Sequence, residues 1–353
     1  MSQVKVPEPV SNLARYRLLS PKAGIRVSPI ALGTLNFGTA WSAFMGASCL
    51  TKQRSFEILD RWFEAGGNFF DTANSYQGGQ SEECLGEWME SRGNRDQVVV
   101  STKFTMTLHM TDKNKSIKAN FQGNAKKSLR ESLECSLMRL KTSYIDILYV
   151  HYWDYTTSVE ELMQSLDSFV KAGKVLYLGI SDAPAWVVVK ANAYAKQHGL
   201  AEFVIYQGNW SLLLRDFERE IIPMCRDQQM CIAPYGVLGQ GKFKTKAEVE
   251  QREKDGEAMR SFWNSTAQSP DQVKISEELE SIASGIGAPS LGSVALAYHL
   301  QRCPYVIPQI GVRTDKQMDD AIASLSVQLT EDDVERLETV VPFKKGFPYD
   351  HFG

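Results

Sequence analysis

The chain has 353 residues, of which 43% are hydrophobic, 23% charged and 10% aromatic. This is a globular mixture that excludes a disordered or collagen-like chain, and its length admits two domains or one large barrel. Lys and Arg total 39 against 42 Asp and Glu, and the net charge of −3 leaves no footprint for nucleic acid or a membrane surface.

Residues 1–15 form a Pro-containing leader without an apolar core of signal-peptide type. No run of about eighteen apolar residues follows it, so no membrane span is expected. The six cysteines form no Cys-x-x-Cys pair and no zinc-ligand spacing, which fits reduced thiols in a cytoplasmic protein. Runs 16–19 and 25–28 flank a Pro/Gly turn and predict a β-hairpin. The pattern then changes to eight short apolar runs, at 30–32, 68–70, 98–101, 144–150, 175–179, 203–206, 230–233 and 305–307. Several are apolar at nearly every position, as strands buried on both faces are.

Helical patterns lie between the runs. Residues 55–64 place Phe56, Leu59, Trp62 and Phe63 on one face, and 124–140 space Leu129, Leu133, Leu137 and Leu140 helically. Stretches 159–170, 185–197 and 217–226 follow, and Gly66, Gly173 and Gly199 stand at helix ends. Strand starts recurring about every thirty residues predict an α/β fold, a single (β/α)8 TIM barrel over residues 16–342 with the N-terminal hairpin. Residues 239–272 are a polar insertion after the seventh strand. They read either as a solvated helical segment or as a loop closing over a ligand at the functional barrel face. Residues 326–341 are amphipathic, and 343–353 form a loose C-terminal tail.

In such a barrel the active site lies at the C-terminal strand ends. Asp71 and Tyr76 follow the second barrel strand, Lys103 ends the third, and His151 ends the fourth. Taken singly, each has an ordinary structural reading: a helix cap, a packed ring, a solvated cation, a satisfied core histidine. Taken together they suit carbonyl reduction. The oxygen of a carbonyl accepting hydride gathers negative charge and needs a proton donor that is neutral at pH 7. A tyrosine has an ordinary pKa near 10, a lysine cation beside it favours phenolate, and a carboxylate holds the lysine. The histidine can hydrogen-bond the carbonyl.

The segment Gly66-Gly67-Asn68-Phe69-Phe70-Asp71-Thr72-Ala73-Asn74-Ser75-Tyr76, followed by Ser81-Glu82 and Leu85-Gly86, resembles the first signature of the aldo-keto reductases. Lys103 after Val100-Ser101-Thr102 and His151 after Tyr149-Val150 match the remaining tetrad positions in order. The resemblance covers about residues 16–342. The Gly241-Lys242-Phe243 insertion and the ending Val341-Pro342-Phe343-Lys344-Lys345-Gly346-Phe347-Pro348 are similar to the fungal aryl-alcohol dehydrogenase and norsolorinic acid reductase branch.

The resemblance implies that Tyr76 is the general acid, that Lys103 and Asp71 tune it, and that His151 positions the carbonyl. It also implies NADPH/NADP+ bound across the barrel mouth without a Rossmann domain, and no Gly-x-Gly-x-x-Gly stands between a strand and a helix. By the same resemblance, Ser181, Asp182 and Gln207 meet the nicotinamide carboxamide and Tyr235 stacks on the ring. Gly33 and Thr34 lie beside the nicotinamide ribose. Leu238, Gly239, Gly241 and Lys242 cover the pyrophosphate, and Arg313, Gln317 and Asp320 surround the adenosine end, Arg313 favouring NADP through its 2′-phosphate. Two positions depart from the family pattern: Asp182 and Ala321 each stand where asparagine is usual, which weakens one carboxamide contact and one adenine contact.

Phe37, Trp41, Phe44, His109, Phe121, Tyr152 and Trp153 follow the first, third and fourth barrel strands. They read either as loop packing or as the walls of a pocket for a planar substrate. The expected activity is an NADP-dependent interconversion of aromatic aldehydes, or aryl ketones, and alcohols. A polyketide-type aryl ketone is the alternative substrate, and an NADPH-binding regulatory subunit the alternative role. No metal is implied.

Overall fold

The computed structural model describes residues 8–109, 112, 114–254 and 267–352. The hairpin is present as β1 (Arg17–Ser20) and β2 (Ala23–Val27), paired antiparallel. Among the described residues, eight parallel strands then form the barrel. They are β3 (Ala31–Gly33), β4 (Phe69–Asp71), β5 (Val99–Phe104), β6 (Ile145–Val150), β7 (Val175–Ser181), β8 (Phe203–Asn209), β9 (Cys231–Tyr235) and β10 (Gln309–Ile310). Their order is β10-β3-β4-β5-β6-β7-β8-β9, and a bridge between Ile232 and Val306 brings the two edges together.

The helices are α1 (Ser42–Met45), α2 (Lys52–Glu64), α3 (Gln80–Arg92), α4 (Lys126–Arg139), α5 (Val159–Lys171) and α6 (Ala185–His198). They continue as α7 (Ile221–Asp227), α8 (Lys246–Lys254), α9 (Pro270–Ile286), α10 (Leu291–Arg302), α11 (Asp315–Ala323), α12 (Glu331–Thr339) and α13 (Tyr349–Phe352).

Strand alternation builds two cores. Inward residues Ala31, Phe69, Val99, Ile147, Tyr149, Ile205, Cys231 and Ala233 fill the barrel. Their neighbours Leu32, Phe70, Val100, Leu148, Ile180 and Ile232 face the helices and meet Leu59, Trp62, Leu129, Leu133 and Leu162. Each large apolar side chain so buried stabilises the fold by roughly 1.5–3 kcal/mol. One inward position must be glycine. A Cβ on Gly179 would stand 2.5 Å from the ring carbons of Tyr149. We expect Gly179→Ala to cost about 1–3 kcal/mol by overpacking, read as a lowered midpoint in urea denaturation.

Several expectations shift. The run 305–307 makes only the bridge to β9, and the eighth strand forms later, at Gln309–Ile310, in register with Ala31 and Leu32. Pro304 and Pro308 bracket the run, and neither has an N–H for the ladder. In α2 the buried stripe is Ser55, Ile58, Leu59 and Trp62, with Phe56 and Phe63 only half-buried. The stretch 217–226 divides into a 3-10 turn, Asp216–Glu218, and α7. The insertion carries an exposed, polar α8, and its residues 255–266 lie outside the described residues.

Described parts of the leader and of the tail pack onto the barrel. In the leader, Leu13 is fully buried and Ser11 Oγ donates to the Ala65 carbonyl at 2.7 Å. In the tail, the Phe343 ring lies under Arg215 and Arg219, and the Tyr349 hydroxyl donates to Glu220 at 2.8 Å.

Candidate active site

Register gathers the polar residues at one mouth. Asp71 on β4 pairs with Ser101 on β5, Lys103 with Tyr149 on β6, and Ser181 on β7 with Gln207 on β8. The period of two puts Ser101 and Lys103 on the same inner face, and likewise Gly179 with Ser181 and Ala233 with Tyr235. The barrel's inner top layer is therefore polar by sequence alternation alone.

Lys103 is fully buried, and its ammonium donates to Asp71 Oδ2 at 2.5 Å and to the Thr72 carbonyl at 2.7 Å. The other Asp71 oxygen accepts from Ser101 Oγ at 2.6 Å and from Gln207 Nε2 at 3.3 Å. Burial lowers the Lys103 pKa, and the Asp71 charge opposes that shift. The Lys103 ammonium stands 5.0 Å from the Tyr76 ring centroid and 5.7 Å from that of Tyr149. Tyr76 begins a 3-10 turn, Tyr76–Gly79, that leads into α3. Its half-buried ring meets His151 edge-on at 5.9 Å and Trp41 edge-on at 6.4 Å.

His151 follows β6 directly. Its backbone N–H reaches Thr105 Oγ1 at 3.2 Å, and that hydroxyl donates to Asn124 Oδ1 at 2.6 Å. Asn124 Nδ2 donates in turn to the Tyr152 carbonyl at 3.1 Å. Thr105 holds a left-handed φ of 93°, which turns the chain out of β5 into this cluster. Among the described residues His151 Nδ1 finds no partner, and burial with the Lys103 charge pushes its pKa down to about 3. The imidazole is therefore neutral near pH 7.

Buried His299 on α10 is likewise held down, to about 4. The unfolded chain binds these two protons near the ordinary value of 6.5, whereas the folded chain refuses them until about 3 and about 4. Stability is complete above pH 6.5 and falls as pH drops below it. The loss is up to about 1.4 kcal/mol per pH unit for each histidine. Urea denaturation at pH 7, 6 and 5 should show this decline, and His299→Gln should flatten it.

The other site candidates fall into groups. Ser181, buried at the end of β7, donates to Asp182 Oδ2 at 3.1 Å. Asp182 takes a left-handed φ of 43° and accepts from the Tyr235 hydroxyl at 3.2 and 3.3 Å. Burial raises the Asp182 pKa to about 6, although its side chain still reaches solvent at the mouth. Gly33 ends β3, but the Thr34 hydroxyl is turned away to the Asp71 carbonyl at 3.0 Å and to Ser81 at 2.7 Å. Leu238 precedes the 3-10 turn Gly239–Gly241, and a half-buried Lys242 follows it. Arg313 precedes α11, and its N–H donates to Gln317 Oε1 at 2.8 Å. Gln317 also completes the capping box of Thr314, and Asp320 pairs with Lys316 at 3.1 Å.

Of the aromatic candidates, Trp41 borders Tyr76, His109 and Phe121 pack edge-on at 4.8 Å, and Tyr152 is exposed. Trp153 is largely buried, and Phe37 sits wholly in the core behind the mouth. The Phe44 side chain lies outside the described residues. Reading the sequence missed Ser101, Thr105 and Asn124. Ser101 was accessible to it, two residues before Lys103 on an alternating strand, but Thr105 acts through a backbone conformation that its residue type does not announce.

A single barrel carries this ionisable cluster at its C-terminal strand ends, the face at which barrel enzymes place their active sites. Residues 29–342 match the aldo/keto reductase family. The chain is 50% identical over 348 residues to norsolorinic acid reductase stcV of Emericella nidulans, covering 99% of this chain and 87% of that protein. It is 49% identical over 343 residues to the putative aryl-alcohol dehydrogenase AAD14 of Saccharomyces cerevisiae, covering 97% and 91%. It is 47% identical over 351 residues to aryl-alcohol dehydrogenase [NADP(+)] of Phanerodontia chrysosporium, covering 98% and 91%. The chain belongs to the aldo/keto reductase family and is an oxidoreductase.

Proposed function

We propose that the enzyme interconverts aromatic aldehydes or aryl ketones and their alcohols with NADPH/NADP+, using Tyr76 as general acid in reduction. The observation that carries this is the fully buried Lys103, bonded to Asp71 at 2.5 Å and 5.0 Å from the Tyr76 ring. In this reading Tyr76 delivers its phenolic proton to the carbonyl oxygen. Lys103 stabilises the charge left on the phenol oxygen, and Asp71 keeps the lysine in place and charged. Neutral His151 donates a hydrogen bond to the carbonyl oxygen and so fixes its orientation.

The residues around the mouth fit a nicotinamide nucleotide. Ser181 and Gln207 offer hydroxyl and amide groups suited to a carboxamide, and Tyr235, beside them on β9, offers a ring to stack. When bound, NADPH supplies the hydride. The relative named aryl-alcohol dehydrogenase [NADP(+)] supports both the cofactor and the aryl substrate. The relatives named norsolorinic acid reductase support an aryl ketone as a second reading. The intact tetrad favours catalysis over a purely regulatory, NADPH-binding role.

The test is NADPH oxidation against benzaldehydes, polycyclic aryl ketones and aliphatic aldehydes. Activity confined to the aliphatic members would overturn the aryl reading. Arg313 provides a second check. Arg313→Ala should raise the Kd for NADPH about tenfold more than that for NADH, because a charge-assisted bond to the 2′-phosphate is lost. Fluorescence titration reads both constants, and equal losses would assign the 2′-phosphate to another residue.

A further inference from the structure

We infer that Gln77 is a specificity-determining staple that fixes Trp41 as one wall of the aryl pocket and ties it to the turn bearing Tyr76. The inference rests on the proposed aryl reductase reading and adds a residue that reading does not use.

Gln77 follows Tyr76 directly, is fully buried and takes a left-handed φ of 52°. That conformation swings its side chain off the 3-10 turn and into the long loop after β3. Its amide is then shared across the whole loop. Nε2 donates to the Leu35 carbonyl at 3.0 Å and approaches Met45 Sδ at 3.3 Å and Cys49 Sγ at 3.5 Å. Oε1 accepts the Trp41 backbone N–H at 2.8 Å. One side chain thus holds the start, apex and end of the loop.

Gln80, one turn further on, accepts the N–H groups of Thr39 at 2.8 Å and Ala40 at 3.1 Å. Gly38 permits this close docking. A Cβ there would stand 2.7 Å from Gln80 Oε1 and 2.9 Å from the Gln77 Cβ, and its φ is 124°. The loop ends are pinned separately, Gly38 N to the Leu50 carbonyl at 3.0 Å and Leu50 N to the Asn36 carbonyl at 2.8 Å. The glutamines therefore govern the apex, residues 39–41, and with it the Trp41 ring that meets Tyr76 edge-on at 6.4 Å.

A wall fixed in this way favours a flat ring and contributes little to a small aliphatic aldehyde. Gln77→Met keeps the side-chain length and removes both amide functions. The expected result is about a tenfold fall in the ratio of kcat/KM for benzaldehyde to that for propanal, carried by the KM for benzaldehyde. Trp41→Ala should give a similar fall, and adding Gln77→Met to it should lower the ratio little further. Hydrogen exchange supplies a readout apart from turnover: the Trp41 amide, which Gln77 holds, should exchange faster in Gln77→Met, with β4 and β5 unchanged.

Equal kcat/KM losses on both aldehydes, fully additive losses with Trp41→Ala, or unchanged exchange at Trp41 would each overturn the staple. Should Gln77→Met not fold, Gln80→Ala on the exposed side releases Thr39 and Ala40 and must shift the ratio in the same direction. A wild-type enzyme without aryl preference would defeat the functional reading instead, and the exchange measurement would still judge the staple.

Discussion

Replacing Tyr76 with phenylalanine is expected to lower kcat/KM for an aryl aldehyde by roughly 10²–10⁴-fold, while the Kd for NADPH stays near the wild-type value. The substitution removes one oxygen and little else. The ring keeps its edge contacts to Trp41 and His151, and Lys103 keeps its bonds to Asp71 and the Thr72 carbonyl. The ring packing and the ion pair thus stay in place while the phenolic hydroxyl is lost. Steady-state kinetics with parallel fluorescence titration of NADPH separates chemistry from binding. Turnover within a few-fold of wild type would remove Tyr76 as the acid. His151 would be a poor replacement, since a pKa of about 3 leaves it without a proton to spare as an imidazolium near neutrality. A loss of NADPH affinity matching the loss of turnover would instead mean that the phenol holds cofactor.

Asp71, Lys103 and His151 stand at or directly after strand ends, which follow from apolar run length, but their grouping with Tyr76, in the turn after β4, was legible only through the resemblance to the aldo-keto reductases. Alternation then aims Lys103 and Asp71 inward without any knowledge of the tertiary fold. The eighth strand lies later than the apolar run because proline controls ladder bonding in a way that hydrophobicity does not register: Val306 and Ile307 pack, but Gln309 and Ile310 pair. α3 carried no clear periodicity. It buries Ser81, Glu82, Cys84, Leu85, Gly86, Trp88 and Met89, a mixture no apolar stripe describes. Its buried Glu82 is instead satisfied across space by Thr102 at 2.6 Å and Arg139 at 3.3 Å. The aromatic candidates divided for a related reason. Phe37 and Trp41 are four residues apart in one loop, yet one completes the core and the other meets Tyr76, and the division is made by Gln77 and Gln80 from another element.

The second large effect concerns the buried ion pair, and it should be asymmetric. Lys103→Met leaves the Asp71 carboxylate with two donors, Ser101 at 2.6 Å and Gln207 at 3.3 Å. Asp71→Asn leaves a fully buried ammonium with the Thr72 carbonyl and the faces of Tyr76 and Tyr149. Stranding one partner of such a pair typically costs about 3–5 kcal/mol. Asp71→Asn should lie at the upper end and Lys103→Met below it, since Ser101 and Gln207 still solvate the remaining carboxylate. The double variant, with no charge left to strand, should be more stable than the sum of the single losses implies.

Turnover falls in all three variants, because each removes the tuned cation or its anchor. Stability against pH discriminates the cause. Burial already lowers the Lys103 pKa, and losing Asp71 removes the negative charge that chiefly opposes that shift. A lysine depressed in the folded state is least harmful once the unfolded chain has also lost its proton. The stability deficit of Asp71→Asn should therefore shrink as pH rises from 7 toward the ordinary lysine value of 10.5. That of Lys103→Met should stay flat over the same range. Urea denaturation of the three variants at pH 7 and pH 9 measures this. An Asp71→Asn deficit equal at both pH values would mean that the loss comes from packing, and that Asp71 does not serve to hold Lys103 charged.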